Sequence, residues 1–189
     1  SLNGAEVAPR PINANMPIWI GAGGTPQSAI RAGQLGLPLN LANIGGEPAR
    51  FKPFIDLYRK TGLEAGHSQK DLQVAISGHL HIQEDSQKAR DDFYPYYASY
   101  MQHNLPQRDR GWNVSRSDYE YLASPIGSLF VGSPQEIADK ICYEYELFGH
   151  QRFLAQLDIG GQPFSMVQKS IELLAKEVVP LVNRKLYNV

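Results

Sequence analysis

A short apolar segment that leads through a glycine turn into a helix start is the feature that most constrains the fold. Residues 17–20 are rich in strand-forming types without polar alternation, which is typical of a strand covered on both faces. Three glycines follow within four positions, and Thr25 then provides an N-cap with proline at the first helical position. The segment therefore predicts a strand–turn–helix unit, the building block of parallel α/β folds.

The same turn has the features of an anion site. Gly23 and Gly24 leave backbone N–H groups uncovered by side chains, and a helix N-terminus adds unpaired N–H groups and the positive end of the helix dipole. Thr25 is the predicted N-cap, and Ser28 adds a hydroxyl one turn into the helix. One interpretation is that this turn holds the phosphate of a cofactor. The alternative is a tight, well-capped turn without a ligand.

Strand and helix signals alternate along the chain. Strands are predicted at residues 17–20, 37–43, 72–82 and 152–158, and helices near residues 26–35, 47–62, 85–101, 133–149 and 167–180. This alternation implies an α/β fold with a parallel sheet and outer helices. Residues 104–130 interrupt it with an irregular insertion before the last unit, containing a short helix capped by Ser117 and Glu120. Long insertions of this kind are commonly functional, which predicts a lid over a site.

Paired glycines follow three of the four predicted strands, at Gly23-Gly24, Gly45-Gly46 and Gly160-Gly161. In parallel α/β folds, ligands bind at the C-terminal ends of the strands, and glycine lets a ligand approach the backbone there. The alternative is that left-handed turns need glycine for conformational reasons alone.

Composition narrows the class of partner. The 189 residues predict one domain spanning 1–189, and the net charge of −1 gives no electrostatic reason to expect nucleic acid or a membrane surface as a partner. Cys142 is the single cysteine, which fits a packed thiol in a reducing cytoplasm. His79 and His81 share one face of a strand but lack a third ligand, so packing is favoured and no metal site is predicted.

Several motifs together resemble the bacterial luciferase-like flavin monooxygenase family. They are PIWIGAGGTPQS at 17–28, RAGQLGLP at 31–38, IGG at 44–46, VGSPQEIADK at 131–140, QLDIGG at 156–161 and SIELLAKEVVP at 170–180. Members are TIM-type (β/α)8 barrels that bind FMN or, in one branch, F420, and they pass electrons from reduced flavin, usually to O2, to oxidise an organic substrate. The resemblance implies that this chain supplies strands five to eight, an incomplete barrel with a lid-like insertion before its last unit.

The resemblance also implies which residues bind the cofactor. The family's phosphate site follows strand five, and the wall beside the flavin ring follows strand six. The corresponding residues are Gly23, Gly24, Thr25 and Ser28 for the phosphate, and Asn43, Gly45 and Gly46 for the ring. FMN is the expected cofactor and F420 the alternative.

The first four strands of the family, with its active-site histidine and cationic phosphate partner, have no counterpart in these residues, so no catalytic residue is predicted. The chain is expected to belong to a longer protein or to pair with a second copy across its open strand edges. The expected partners are a small-molecule substrate, a flavin reductase and a second copy of the chain. A flavin-binding protein without turnover and a sugar-phosphate barrel enzyme are the alternatives.

Overall fold

The computed structural model describes residues 3–4, 8–13, 15–104 and 113–188, and in these ranges five strands form one parallel sheet. The strands are β1 (Ile20–Ala22), β2 (Leu39–Ala42), β3 (Val74–Ile82), β4 (Phe130–Gly132) and β5 (Arg152–Gln156). The helices are α1 (Pro26–Leu35), α2 (Lys52–Glu64), α3 (Ser86–Asn104), α4 (Arg116–Ala123), α5 (Pro134–Phe148), α6 (Phe164–Leu173) and α7 (Val179–Tyr187). A 3₁₀ turn, Pro48–Phe51, leads into α2, and a π-helical turn, Leu174–Val178, joins α6 to α7.

The central strand is β3, which is buried along its whole length and pairs in parallel with β2, β4 and β5. Successive residues of a strand direct their backbone groups to opposite edges. Ser77 O accepts a hydrogen bond from the residue after β2, and Gln83 N donates to the end of β4, whereas Val74 O accepts from the residue before β5. β4 therefore pairs with the same edge of β3 as β2 does, but nearer the C-terminal end of β3. β5 pairs with the opposite edge of β3.

The sequence predicts four of these five strands and misplaces the first. β1 begins at Ile20, where the predicted strand ends, because pairing with β2 starts with the bond from Ile20 N to Pro38 O at 2.8 Å. β4 is missed because three residues are too short to show a periodic pattern. Its strand conformation depends on pairing with residues 80–82, which lie far away in the sequence.

The predicted insertion contributes helix α4, but its predicted capping pair, Ser117 and Glu120, is wrong. Ser115 Oγ accepts a hydrogen bond from Asp118 N at 3.1 Å, and the Asp118 carboxylate accepts one from Ser115 N at 3.4 Å. The capping box is thus two residues earlier. Another part of the insertion, residues 105–112, lies outside the described residues.

Three hydrophobic clusters surround the sheet. One joins α1 and α2 to β2 and β3, one joins α3 and α4 to β4, and one joins α5 and the C-terminal helices to β3. In the part of the chain that the structure describes, no helix combines the length and apolar character needed to cross a bilayer.

Gly33 allows α1 and α2 to approach closely. Ala29 and Ala32 of α1 lie in the cluster with β2 and β3. Gly33 instead faces α2, where a Cβ atom would lie 2.6 Å from Tyr58 O and 3.0 Å from Gly62 N. The backbones of the two helices are therefore separated by too little space for any side chain at this position.

Both edges of the sheet are open within the described residues. β1 pairs only with β2, and β5 only with β3 in these ranges. The Arg152 guanidinium nevertheless lies 5.0 Å from the Trp19 ring centroid, although residue 19 immediately precedes β1 and residue 152 begins β5. These two long side chains therefore meet across one face of the sheet, and Leu154, on the same face of β5 as Arg152, is 40% exposed.

Candidate functional site

The turn after β1 is shaped by Gly24. Its φ of +88° lies in the left-handed region, which disfavours side chains, and a Cβ atom would lie 2.7 Å from Phe51 Cε1. Gly23 differs, because nothing lies within 4 Å of the position that its Cβ would occupy. Gly24 is thus required by the fold, whereas Gly23 leaves open space beside the backbone.

The start of α1 leaves several donors available. Thr25 has the extended conformation of an N-cap, but its hydroxyl donates to Ser28 Oγ at 2.9 Å rather than capping the helix. None of the N–H groups of Gly23, Gly24 and Thr25 donates a hydrogen bond within the described part of the chain. Ser28 Oγ accepts from Thr25, so its own hydrogen is left to donate. Together these donors at a helix N-terminus fit a phosphate group.

Asn43 follows β2 and is completely buried. Its N–H donates to Ser77 O at 2.9 Å, which continues the pairing of β2 with β3. Its side-chain Nδ2 donates to Glu144 Oε1 at 2.6 Å. The side chain is therefore engaged with α5, and any contact of this residue with a flavin ring would involve its backbone.

A cleft of about 550 Å³ lies between the turn after β2 and helix α4. Its lining residues are Gly45, Gly46, Arg50, Asp118, Tyr121 and Leu122. The Tyr121 hydroxyl donates a hydrogen bond to Glu47, which ties α4 to this turn. Helix α4 of the insertion thus lies over Gly45 and Gly46, which are predicted to lie beside the flavin ring, after the C-terminal end of β2.

Arg50 is a cation in this cleft that is not among the site residues predicted from the sequence. Its guanidinium lies 5.1 Å from the Phe51 ring centroid, and its Nη1 occupies the space that a Cβ atom on Gly46 would need. A basic residue four positions after a glycine pair at a strand end is the sequence signal that identifies it.

A buried lysine and a buried glutamate, one helical turn apart on α5, each bind an uncharged partner. Lys140 Nζ donates to Leu129 O at 2.5 Å and to Ala123 O at 3.4 Å, whereas Glu144 binds Asn43. Burial lowers the pKa of Lys140 to about 7 and raises the pKa of Glu144 to about 8. Near pH 7, Glu144 therefore favours its uncharged form, whereas Lys140 is about half protonated and becomes uncharged as the pH rises.

The lysine gives a testable pH dependence. Between pH 7 and 10.5, Lys140 is protonated in the unfolded chain but mostly deprotonated in the folded protein. The free energy of unfolding therefore rises with pH in this range. This contribution reaches about 1.4 kcal/mol per pH unit. We expect Lys140→Met to flatten the rise in urea-unfolding free energy between pH 7.5 and 9.5. The exposed Lys60→Met is the control, and an unchanged slope in Lys140→Met would contradict the assignment.

The histidines of β3 lie among aromatic rings. His79 contacts the rings of Tyr97 and Tyr100 at 5.9 and 5.1 Å between centroids, and His81 stacks on Phe93 at 5.2 Å. Burial lowers the pKa of both imidazoles to about 4. Within the described residues, no group of three or more His, Cys, Asp or Glu side chains is placed to hold a metal ion.

Comparison with known sequences identifies one matching family. The sequence model of the family described as luciferase-like monooxygenase matches residues 1–151.

This chain spans about half of the length of the solved structures that share its fold. Monooxygenase RslO1 from Streptomyces bottropensis is 22% identical, with a TM-score of 0.64 over 87% of this chain and 47% of that one. The coenzyme F420-dependent tetrahydromethanopterin reductase from Methanopyrus kandleri is 21% identical, with a TM-score of 0.61 over 88% of this chain and 51% of that one. The oxygenating constituent of 3,6-diketocamphane monooxygenase from Pseudomonas putida, in complex with FMN, is 20% identical, with a TM-score of 0.58 over 87% of this chain and 48% of that one. These similarities show the parallel α/β fold of luciferase-like barrels, which agrees with the fold class predicted from the sequence.

Proposed function

The chain belongs to the luciferase-like monooxygenase family, and we propose that it supplies the flavin-phosphate-binding half of a flavin-dependent oxidoreductase. The observation that carries this proposal is the set of unpaired N–H groups at Gly23, Gly24 and Thr25 beside the Ser28 hydroxyl. The carbonyls of the described chain leave these N–H donors free, and the helix dipole favours a dianion there.

The cofactor would lie across the C-terminal ends of β1 and β2. The phosphate would contact the turn after β1, and the ring would lie beside Gly45 and Gly46, where α4 narrows the access of water. Bound flavin would supply two-electron redox chemistry, and this chain would supply position and a water-poor surface. FMN is the proposed cofactor, with F420 as the alternative, since relatives of both kinds share the fold.

The remaining parts of the site would come from further strands. The open edges at β1 and β5, and the exposed Leu154 of β5, support pairing with the strands that complete a barrel. These strands would belong to a longer chain or to a second copy. The proposed setting is the cytoplasm, with a flavin reductase as the source of reduced flavin and a small organic molecule as the substrate.

Flavin titration tests the proposal. We expect FMN absorbance and fluorescence to change saturably when the protein is added, and inorganic phosphate to compete. Consumption of O2 or of a substrate with reduced flavin would then distinguish an oxidoreductase from a flavin-binding protein without turnover. If neither FMN nor F420 binds while sugar phosphates do, the proposal is wrong and a sugar-phosphate enzyme is favoured.

A further inference from the structure

Asn43 and Glu144 form a buried polar pair with one hydrogen bond and two unused atoms. Both residues are 0% exposed, and Asn43 Nδ2 lies 2.6 Å from Glu144 Oε1. Asn43 Oδ1 and Glu144 Oε2 have no hydrogen-bond partner within the described residues. Two buried acceptors left without a donor are costly, and a single proton between them would satisfy both.

The charged groups near Glu144 are engaged with other partners. The Lys140 amine on the same helix is bonded to Leu129 O and Ala123 O. Arg59 of α2 donates to Phe148 O at 2.6 Å and to Gly149 O at 3.0 Å. His150 is buried, and its ring lies 5.8 Å from that of Tyr145. Burial of a glutamate anion here favours the acid form, and it outweighs the Asn43 N–H and the nearby Lys140 amine, both of which lower the pKa of Glu144.

We propose that Glu144 is a positioning residue that acts as a carboxylic acid. Its Oε2–H donates to Asn43 Oδ1 while its Oε1 accepts from Asn43 Nδ2, so that the two side chains form a doubly hydrogen-bonded acid–amide pair. This pair fixes Asn43 and thereby the glycine turn that follows it. The functional part of this inference, that the pair orients the wall of the flavin ring, rests on the proposed function.

The position of the pair explains why such an anchor matters. Asn43 is the last residue tied to β3 before the chain leaves the sheet, and Gly45 and Gly46 follow within three positions. Gly46 has a φ of +82°, which is one of several conformations open to a glycine, so contacts of the neighbouring residues are needed to fix the turn. The raised pKa of Glu144, about 8 as a result of burial, agrees with an acid form at neutral pH.

Infrared difference spectroscopy tests the protonation state without any ligand. We expect wild-type protein at pH 6.5 to show a carboxylic-acid C=O band that Glu144→Gln lacks and that decreases as the pH passes 8. Glu146→Gln, which changes an exposed glutamate on the same helix, should retain the band. If Glu144→Gln instead removes only carboxylate bands, the proposal is overturned.

Hydrogen exchange tests the positioning role with two substitutions. Glutamine reproduces both hydrogen bonds of the acid form, so amide exchange at residues 44–47 should stay within about twofold of wild type in Glu144→Gln. Glu144→Leu removes both bonds and should accelerate exchange there at least about tenfold. Equal exchange in the two variants would overturn the proposal, and if Glu144→Leu fails to fold, the infrared result decides.

FMN affinity separates this inference from the proposed function. Glu144→Leu should weaken FMN binding about tenfold, whereas Glu144→Gln should not, and above pH 8 only the wild type should lose affinity. If the wild type binds no flavin, the proposed function fails while the infrared and exchange results still decide the acid–amide pair. If flavin binds and Glu144→Leu retains full affinity, the effect on the ring wall is refuted.

Discussion

Replacing Ser28 by aspartate is expected to reduce FMN affinity by about 100-fold or more. A carboxylate at this position would lie beside the N–H groups proposed to hold the phosphate dianion. Two like charges about 4 Å apart repel by roughly 4 kcal/mol at the effective dielectric constant of a protein surface. The loss is measured by fluorescence titration of FMN at low and high salt, and it should be smaller at high salt because ions screen the repulsion.

The same substitution is not expected to unfold the protein. An acidic residue in the first turn of a helix interacts favourably with the helix dipole, so Ser28→Asp should leave the thermal unfolding midpoint unchanged or raise it slightly. Ser165→Asp places the same charge in the first turn of α6, where Ser165 is exposed, and is the matched control. FMN affinity that is unchanged in Ser28→Asp, or reduced equally by the control, would exclude a phosphate site at the start of α1.

Gly33→Val is expected to lower the free energy of unfolding by about 3 kcal/mol or more. A Cβ atom at Gly33 would lie 2.6 Å from Tyr58 O, 3.0 Å from Gly62 N and 3.1 Å from Thr61 Cβ, all in α2. Because two of these atoms belong to the backbone, the conflict is relieved only if the helices separate. Urea denaturation followed by circular dichroism measures the effect.

Gln34→Val, on the same helix, is the control that separates the clash with α2 from the effect of a β-branched residue in a helix. Gln34 is exposed and directly follows Gly33, so Gln34→Val introduces the same β-branched side chain without a clash. Its cost should be less than about 0.5 kcal/mol, which is the difference in helix propensity. If the two variants lose similar stability, the close approach of α1 and α2 is not what requires glycine at position 33.

Local patterns were sufficient to predict most of the elements. The capping box at Ser133 and Glu136 and the glycine at position 149 mark α5, and the structure has α5 between them, with both capping hydrogen bonds present. Such signals are carried by residues three or four positions apart, so they are visible in the sequence. β4 has no comparable signal, because it becomes a strand only through pairing with β3.

The candidate site also contains some residues that the sequence identifies and others that only the structure identifies. The glycine turn and Thr25 could be identified from the sequence, since the donors of a helix N-terminus belong to a continuous segment. The bond between Asn43 and Glu144 joins residues 101 positions apart. No pattern in the sequence indicates that the Asn43 side chain binds α5 rather than facing a ligand, and the cleft containing Arg50 likewise depends on where α4 packs.

The alternation of strands and helices, the parallel α/β class and the glycine turn that starts α1 can all be predicted from the sequence, because hydrophobic periodicity and capping residues act over a few positions. The folded structure is needed to show which edge of β3 each strand takes, which helix needs a glycine and which ionisable side chains are buried. These features depend on contacts between distant segments, and burial changes the pKa of Lys140 and Glu144 only after the chain has folded around them.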